Sequence, residues 1–167
     1  MITRSHARGG CESQAVYSSD EAYRYALMRR WRAGPCLLFV MLNPSTATEL
    51  SNDATIERCE RRARMWGYGG LAVGNLFAWR ATRPEDLKRA VDPVGPANDA
   101  VLLDLAGQAD LILCAWGSHG RHLNRAAQVT RLLSGRGQAL HHLALTRGGE
   151  PRHPLYLPYD LVPQVWR

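Results

Sequence analysis

Residues 36–47 read CLLFVMLNPSTA, an apolar run that stops at an asparagine, a proline and two hydroxyl residues. A short apolar run bounded by turn-forming residues is typical of a strand that is buried on both faces of a sheet. Three later runs have the same character, at residues 70–77, 110–116 and 139–145. The sequence therefore predicts a core of four such strands.

Longer amphipathic stretches separate these runs. They predict helices over residues 52–66, from about Arg83 onwards, over 96–105 and over 121–133. Ser51 or Asn52 is the expected N-cap of the first helix, and Thr82 to Glu85 spells a capping box for the second. Alternating strands and helices predict an α/β fold, a three-layer sandwich with a central, mostly parallel sheet of four or five strands.

The N-terminal part of the chain is less regular. Residues 23–31 fit both strand alternation and a helical turn, and the turn at 32–35 favours a strand paired with residues 36–42. The first 15 residues are treated as a segment that can be flexible. We expect residues 1–167 to form one domain, because a chain of this length can bury a sizeable core.

Composition and missing motifs exclude several classes. The chain is 46% hydrophobic and 22% charged, with no run long enough to span a membrane and no signal-peptide core, which predicts a cytoplasmic protein. Its four cysteines form no C-x-x-C pair, so we expect no metal site. The absence of a G-x-G-x-x-G, Walker or G-x-S-x-G motif argues against dinucleotide, P-loop and serine-hydrolase enzymes, and no cofactor is expected.

The basic residues are almost all arginine: Lys88 is the single lysine, and the net charge is +6. Arginine binds phosphate bidentately and stacks on bases, so this balance permits a nucleic-acid partner. A GC-rich genome produces the same bias, so the bias alone leaves the partner open.

Ligands of open α/β sheets bind beyond the carboxyl ends of the strands. Four polar loops follow the predicted strands, at residues 43–45, 75–80, 116–119 and 152–156. The asparagine of Asn43-Pro44 either forms a simple turn or faces a ligand. Asn75 is either satisfied by backbone or reads the edge of a base, and the neighbouring Phe77 is either core or part of the site.

The last two loops carry the remaining candidates. Ser118 either caps a helix or opens an anion site at the helix start, next to His119 and Arg121. His153 lies between two prolines, a restricted backbone that suits an aimed imidazole able to donate to an oxyanion. His141 and His142 have no such frame and are expected to be structural.

Two resemblances follow from these motifs. The segments VMLNPSTA, NDATIERC, WGYGGLAVGNLFAWRAT, AWGSHG and PRHPLYL, in this order over about residues 17–156, resemble a bacterial family of domains of unknown function. The order of motifs is also similar to the uracil-DNA glycosylase superfamily, whose branches use G-I-N-P-G, T-N-V-V-K-C-R-P-P and H-P-S. The counterparts here are Asn43-Pro44, Asn75 to Thr82, and His153-Pro154.

The second resemblance implies a DNA base-excision glycosylase that flips a deaminated or modified, uracil-like base from single- or double-stranded DNA, acts as a monomer and needs no metal. Asn43 would hold the attacking water, Asn75 would read the flipped base and His153 would stabilise the departing base anion. Base contacts by Phe77 and Tyr156 are also expected. The expected phosphate contacts are Ser45, Arg80, Ser118, His119, Arg121 and Arg152.

The sequence departs from that superfamily in several places, of which two bear directly on the chemistry. No aspartate stands in the first motif, and residues 47–58 contain no aromatic residue to stack on a base. Two alternatives therefore stay open: a non-catalytic nucleic-acid or nucleotide-binding module on the same fold, and an N-glycosidase of free nucleosides or nucleotides. A DNA enzyme would need Arg80, Arg83, Arg121 and Arg152 clustered around the rim.

Overall fold

The computed structural model describes residues 1–167 as an α/β protein with one mixed sheet of eight strands and four helices. The strands are β1 (Ile2–Arg8), β2 (Cys11–Tyr17), β3 (Arg24–Arg30), β4 (Cys36–Met41), β5 (Gly70–Asn75), β6 (Leu111–Cys114), β7 (Leu140–His142) and β8 (Gln164–Val165). The helices are α1 (Ala54–Met65), α2 (Pro84–Arg89), α3 (Asn98–Gln108) and α4 (Arg125–Ser134). No helix is long and apolar enough to cross a bilayer.

The strand order is β1-β2-β3-β5-β4-β6-β7-β8. The four central strands β5, β4, β6 and β7 are parallel, as the apolar runs predicted. The expectation of a mostly parallel sheet of four or five strands is wrong, however, because four of the seven strand pairings are antiparallel. The additional strands lie at the two edges of the parallel core.

The N-terminal strands were not predicted because they lack long apolar runs. β1 is mostly exposed, and β2 buries only alternate residues. Gly9 and Gly10 join them, both with positive φ, and a turn this short can connect only antiparallel strands. Residues 1–15 are thus part of the sheet.

The predicted strand at residues 23–31 is present as β3, but its expected pairing with residues 36–42 is wrong. β5 lies between β3 and β4 and pairs with both. Gly74 of β5 fits there because a Cβ atom on it would lie 2.6 Å from Leu102 of α3. The small residues of β5 therefore let α3 pack closely on the sheet.

The central strands send alternate side chains into two hydrophobic clusters. Leu38 and Val40 belong to a cluster that includes α3 and α4, whereas Leu37 and Phe39 belong to a cluster that includes α1. Both faces of β4 are consequently buried. A ligand can therefore reach β4 at its carboxyl end, where the loops lie, but not through its faces.

Several helix starts differ from the prediction. The capping box expected at Thr82 to Glu85 does not form, because the N-cap of α2 is Arg83, which makes no side-chain capping hydrogen bond. Asp53, rather than Ser51 or Asn52, caps α1, since its Oδ1 accepts the N–H of Ile56 at 2.9 Å. The helix expected from residue 121 begins only at Arg125. Leu123 and Asn124 have positive φ, which interrupts the helix and leaves Ser118–Asn124 as a separate 3-10 segment.

Candidate functional site

A cleft of about 700 Å³ lies at the carboxyl ends of β4, β5 and β6. β4 lies between β5 and β6 in the sheet. The chain passes from β4 to β5 on one side and then from β5 back across to β6 on the other side. These two connections run in opposite directions and open a crevice at the strand ends. Asn43, Asn75 and His153 all line this cleft. The structure thus brings together the three residues to which the sequence assigned the chemistry.

Asn43 ties the first loop to the segment after β5. Its Nδ2 donates to the carbonyl of Ala81 at 2.7 Å and to that of Pro44 at 3.0 Å. The N–H of Ala81 in turn donates to the carbonyl of Pro44 at 3.0 Å. With its amide nitrogen engaged, Asn43 has its carboxamide oxygen left for a ligand.

Asn75 is the last residue of β5 and is 2% exposed. Its Nδ2 has no hydrogen-bond partner in the protein, although an unpaired buried amide is destabilising. The backbone around it is firmly held: Asn98 Nδ2 donates to the carbonyls of Asn75 and Leu76, and Arg125 Nε donates to that of Leu76 at 2.7 Å. The backbone of Asn75 is thus fixed in place while its side-chain amide nitrogen lacks a partner.

His153 is half-buried and has a defined orientation. Its Nδ1 accepts the N–H of Leu155 at 3.3 Å, so the neutral ring carries its proton on Nε2. Burial lowers the pKa of His153 below its ordinary value of 6.5, and the nearby Asp53 carboxylate opposes that change. At neutral pH this site therefore presents an uncharged imidazole.

The loop that carries His153, residues 150–158 and here called the histidine loop, is held by contacts on both sides of that residue. Before His153, Glu150 accepts the indole N–H of buried Trp116 at 2.7 Å, and the carbonyl of Pro151 accepts the N–H of Gly117 at 2.7 Å. After it, the guanidinium of buried Arg62 donates to the carbonyls of residues 157 and 158. These contacts hold the loop against the end of β6 and against α1.

Sequence reasoning missed two charged residues of the cleft, Asp53 and Arg24. Asp53 is the acidic residue among those that line it, and its Oδ1 and Oδ2 accept the N–H groups of Ile56 and Ala47. Arg24 is 2% exposed, and its Nη1 donates to the carbonyl of Ala47 at 2.6 Å. The available signal for Asp53 was its place in the first turn of the helix predicted over residues 52–66.

Four of the expected phosphate contacts line the cleft: Ser45, Ser118, His119 and Arg152. Arg80 and Arg121 do not. Arg80 lies against the ring of Tyr17 and donates to the carbonyl of Glu21, and Arg121 is bound to Glu150 and to the carbonyl of Gly148. Both guanidinium groups are thus engaged with the protein itself.

The two aromatic candidates also lie outside the cleft. Phe77 is completely buried in the core and packs against the ring of His122, so it has no surface with which to contact a base. Tyr156 is 83% exposed and has a φ of 72°, an unusual conformation for a tyrosine. Its neighbour Leu155 is the residue of that pair that lines the cleft.

Comparison with known proteins gives one match. No curated protein and no solved structure matches the chain. The model of a family described as "Protein of unknown function (DUF1643)" matches residues 24–155 and so covers β3 to the histidine loop, with all the cleft residues. The chain therefore belongs to the DUF1643 family.

Proposed function

We propose that the protein is a cytoplasmic, monomeric DNA N-glycosylase. We propose further that its fold is a three-layer sandwich like that of the uracil-DNA glycosylases. The observation that carries the proposal is the meeting of Asn43, Asn75 and His153 in one cleft at the carboxyl ends of the parallel strands. A strand-end cleft of this kind can hold one flipped nucleotide, and its substrate would be a deaminated or modified base.

Each residue has a distinct task in this reaction. The glycosidic bond breaks with the bonding electrons moving to the base, so a donor to the base oxygen is needed more than a strong base. Nε2–H of neutral His153 supplies that donor. The carboxamide of Asn75 binds the base edge, and the oxygen of Asn43 orients the water that adds to the sugar. The proton that this water loses ends on the departed base anion, so that sugar hydroxyl and neutral base are the products.

Asp53 supplies the negative charge that the first motif lacks. An oxocarbenium-like transition state carries positive charge on the sugar, and a carboxylate nearby stabilises it. Both oxygens of Asp53 accept backbone N–H groups, which holds the carboxylate in place within the cleft. We therefore assign it the electrostatic role, next to the water held by Asn43.

The test is incubation with single- and double-stranded oligonucleotides that contain uracil, hypoxanthine, xanthine or hydroxymethyluracil. Alkaline cleavage then reports the abasic sites. We expect strand breaks at one of these bases with the wild type and none with Asn43→Ala/His153→Ala. Equal cleavage by the wild type and this double variant would refute the proposal, and Phe77→Leu, outside the cleft, is the matched control.

One observation favours a second candidate, an N-glycosidase or binding protein for free nucleosides or nucleotides. Of the four arginines that a DNA enzyme should place around the rim, Arg152 alone lines the cleft. Arg83 is exposed and lies 3.9 Å from Asp86, and Arg80 and Arg121 are bound elsewhere. Release of free base from a nucleoside or nucleotide, without action on oligonucleotides, would favour this candidate.

A further inference from the structure

Arg24 is a buried cation with no carboxylate in direct contact. It is 2% exposed and forms no ion pair, and its Nε has no hydrogen-bond partner. Burial lowers the pKa of Arg24 to about 10, with the Asp53 carboxylate opposing the change. A buried, unpaired charge is strongly destabilising, so its presence at the wall of a cleft calls for an anionic ligand.

The surroundings of Arg24 suit an oxyanion. Arg24 is joined to the start of α1 through Ala47, whose carbonyl accepts from Arg24 and whose N–H donates to Asp53. Ala54 and Thr55 line the cleft there, and their N–H groups precede the first intrahelical bond, from Glu57 to Asp53. The N-terminus of a twelve-residue helix adds a favourable dipole to the arginine.

The same wall offers further donors and one opposing charge. The hydroxyl residues Ser45 and Thr46 line the cleft and directly precede Ala47, whose carbonyl binds Arg24. The Asp53 carboxylate lies there too, but each of its oxygens already accepts a backbone N–H, which offsets part of its charge. The wall thus combines a cation, a helix start and hydroxyls.

We infer that Arg24, the Ser45-Thr46 loop and the N-terminus of α1 form a phosphate-binding subsite of the cleft. The inference deepens the proposed function, on which it rests for the source of the phosphate: a mononucleotide or a phosphodiester of DNA. The buried arginine binds that group after the ligand has entered the cleft. It thereby selects phosphorylated substrates over nucleosides.

Arg29 provides a matched control on the same strand. It is 5% exposed, but its guanidinium is paired: Nη2 donates to the carbonyl of Thr48 at 2.6 Å and to Asn52 Oδ1 at 3.0 Å. It does not line the cleft. Arg24→Gln and Arg29→Gln therefore remove similar buried charges. The guanidinium of Arg24 lines the cleft and has an Nε without a partner, whereas all three nitrogens of the Arg29 guanidinium donate hydrogen bonds within the protein.

The first measurement is titration calorimetry with inorganic phosphate at constant ionic strength. We expect binding to the wild type and to Arg29→Gln, and about tenfold weaker binding to Arg24→Gln, because a charge-assisted hydrogen bond is lost. Should Arg24→Gln not fold, the ¹⁵N–¹H signal of Arg24 Nε in the wild type, which must shift on phosphate addition, decides instead. No binding to the wild type, or equal binding to both variants, overturns the inference.

The second measurement identifies the source of the phosphate. Tighter binding of deoxyuridine 5′-monophosphate than of deoxyuridine, lost in Arg24→Gln, assigns the subsite to mononucleotides. Weaker binding of a single-stranded oligonucleotide after one phosphodiester is replaced by a neutral methylphosphonate, again only with Arg24 present, assigns it to DNA. If neither effect is seen, the inference is wrong. Base release is not measured in either test, so failure of the glycosylase proposal would be seen separately.

Discussion

Asn75 and Asn98 are both buried, but their amide nitrogens differ in hydrogen bonding. Nδ2 of Asn75 has no partner, whereas Nδ2 of Asn98 donates to two backbone carbonyls at 3.0 and 3.1 Å. A group that stabilises the fold is expected to be paired, and a group reserved for a ligand is not. Oδ1 of Asn98 also lacks a partner, but Asn98 does not line the cleft. At the scale of single residues, the unpaired donor of Asn75 and its place in the cleft together favour a role in ligand binding.

The first prediction follows from that contrast. Asn98→Ala should lower the free energy of unfolding by about 1–3 kcal/mol, because two buried hydrogen bonds are lost and the carbonyl of Leu76 keeps only Arg125 as a donor. Asn75→Ala should lower it by less, since no hydrogen bond is lost, yet it should abolish ligand binding or base release. Urea denaturation measures the first quantity and the oligonucleotide assay the second. A larger loss of stability for Asn75→Ala than for Asn98→Ala would contradict this interpretation.

The sequence identified part of the site because one rule covers Asn43, Asn75 and His153. All three lie at or beyond the end of a predicted parallel strand, and parallel strands end at the same edge of a sheet. That rule does not find Arg24. β3 runs antiparallel to β5, so the first residue of β3, rather than the last, reaches the cleft. An isolated arginine at the start of a strand gives no signal of this kind.

Among the connecting elements, the histidine loop depends on the protonation of its own ring. The neutral ring accepts the N–H of Leu155 at Nδ1, whereas the protonated ring carries a hydrogen at that atom. Protonation therefore breaks the contact that orients the imidazole. Acid should loosen this loop and weaken its alignment with the cleft.

The second prediction concerns pH. Because burial lowers the folded-state pKa of His153, the unfolded chain binds more protons just below the ordinary value of 6.5, and stability falls as the pH drops through that window. His153→Gln should reduce this loss, as measured by urea denaturation at about pH 7.5 and about pH 5.5. His142, whose pKa burial also lowers, should contribute in the same direction. An unchanged difference between the two pH values in His153→Gln would refute the assignment.

The third prediction concerns the contact between β6 and the histidine loop. Glu150→Ala removes the acceptor of the Trp116 N–H, and the free energy of unfolding should fall by about 1–3 kcal/mol. Glu150→Gln keeps an acceptor oxygen and should lose less. Thermal unfolding measures the stability of each variant. A base-release assay gives KM and kcat, and a change in their ratio relative to the wild type shows whether His153 has moved. Equal stability of the two variants would show that the Trp116 contact is unimportant.

On the scale of the whole molecule, the parallel centre of the sheet could be predicted and its edges could not. Strands such as β4 are buried on both faces, so they appear in the sequence as continuous apolar runs. β1 and β8 have one neighbour each and are largely exposed, and nothing in their composition distinguishes them from loops. The insertion of β5 between β3 and β4 is likewise a long-range pairing that local patterns do not contain.

The distribution of arginines gives the fourth prediction. The net charge of +6 suggests a strong dependence of DNA binding on salt. The cleft, however, has one exposed arginine, Arg152, with which to contact DNA phosphates. We expect log K to fall with log salt with a slope of about −1 to −2 for a single-stranded oligonucleotide, measured by fluorescence anisotropy. Arg152→Gln should make the slope shallower by about 0.7.

Exposed Arg83 is the matched control for this measurement, since Arg83→Gln should leave the slope unchanged. A wild-type slope of about −6 or steeper would instead mean that many more phosphates are contacted, over a surface much wider than the cleft.

The position of β1 at the edge of the sheet bears on aggregation. An open strand edge offers unpaired N–H and C=O groups with which a second molecule can extend the sheet. Exposed Arg4 and Arg8 stand on this strand. Arg4 forms an ion pair with Glu21 at 3.1 Å, so the repulsion between two such edges would come mainly from Arg8. The opposite edge, β8, is only two residues long and gives little to extend. One edge of the sheet is thus protected by charge and the other by its short length. Replacement of Arg4 and Arg8 by valine should therefore favour fibrous aggregates at high salt, in which molecules join edge to edge.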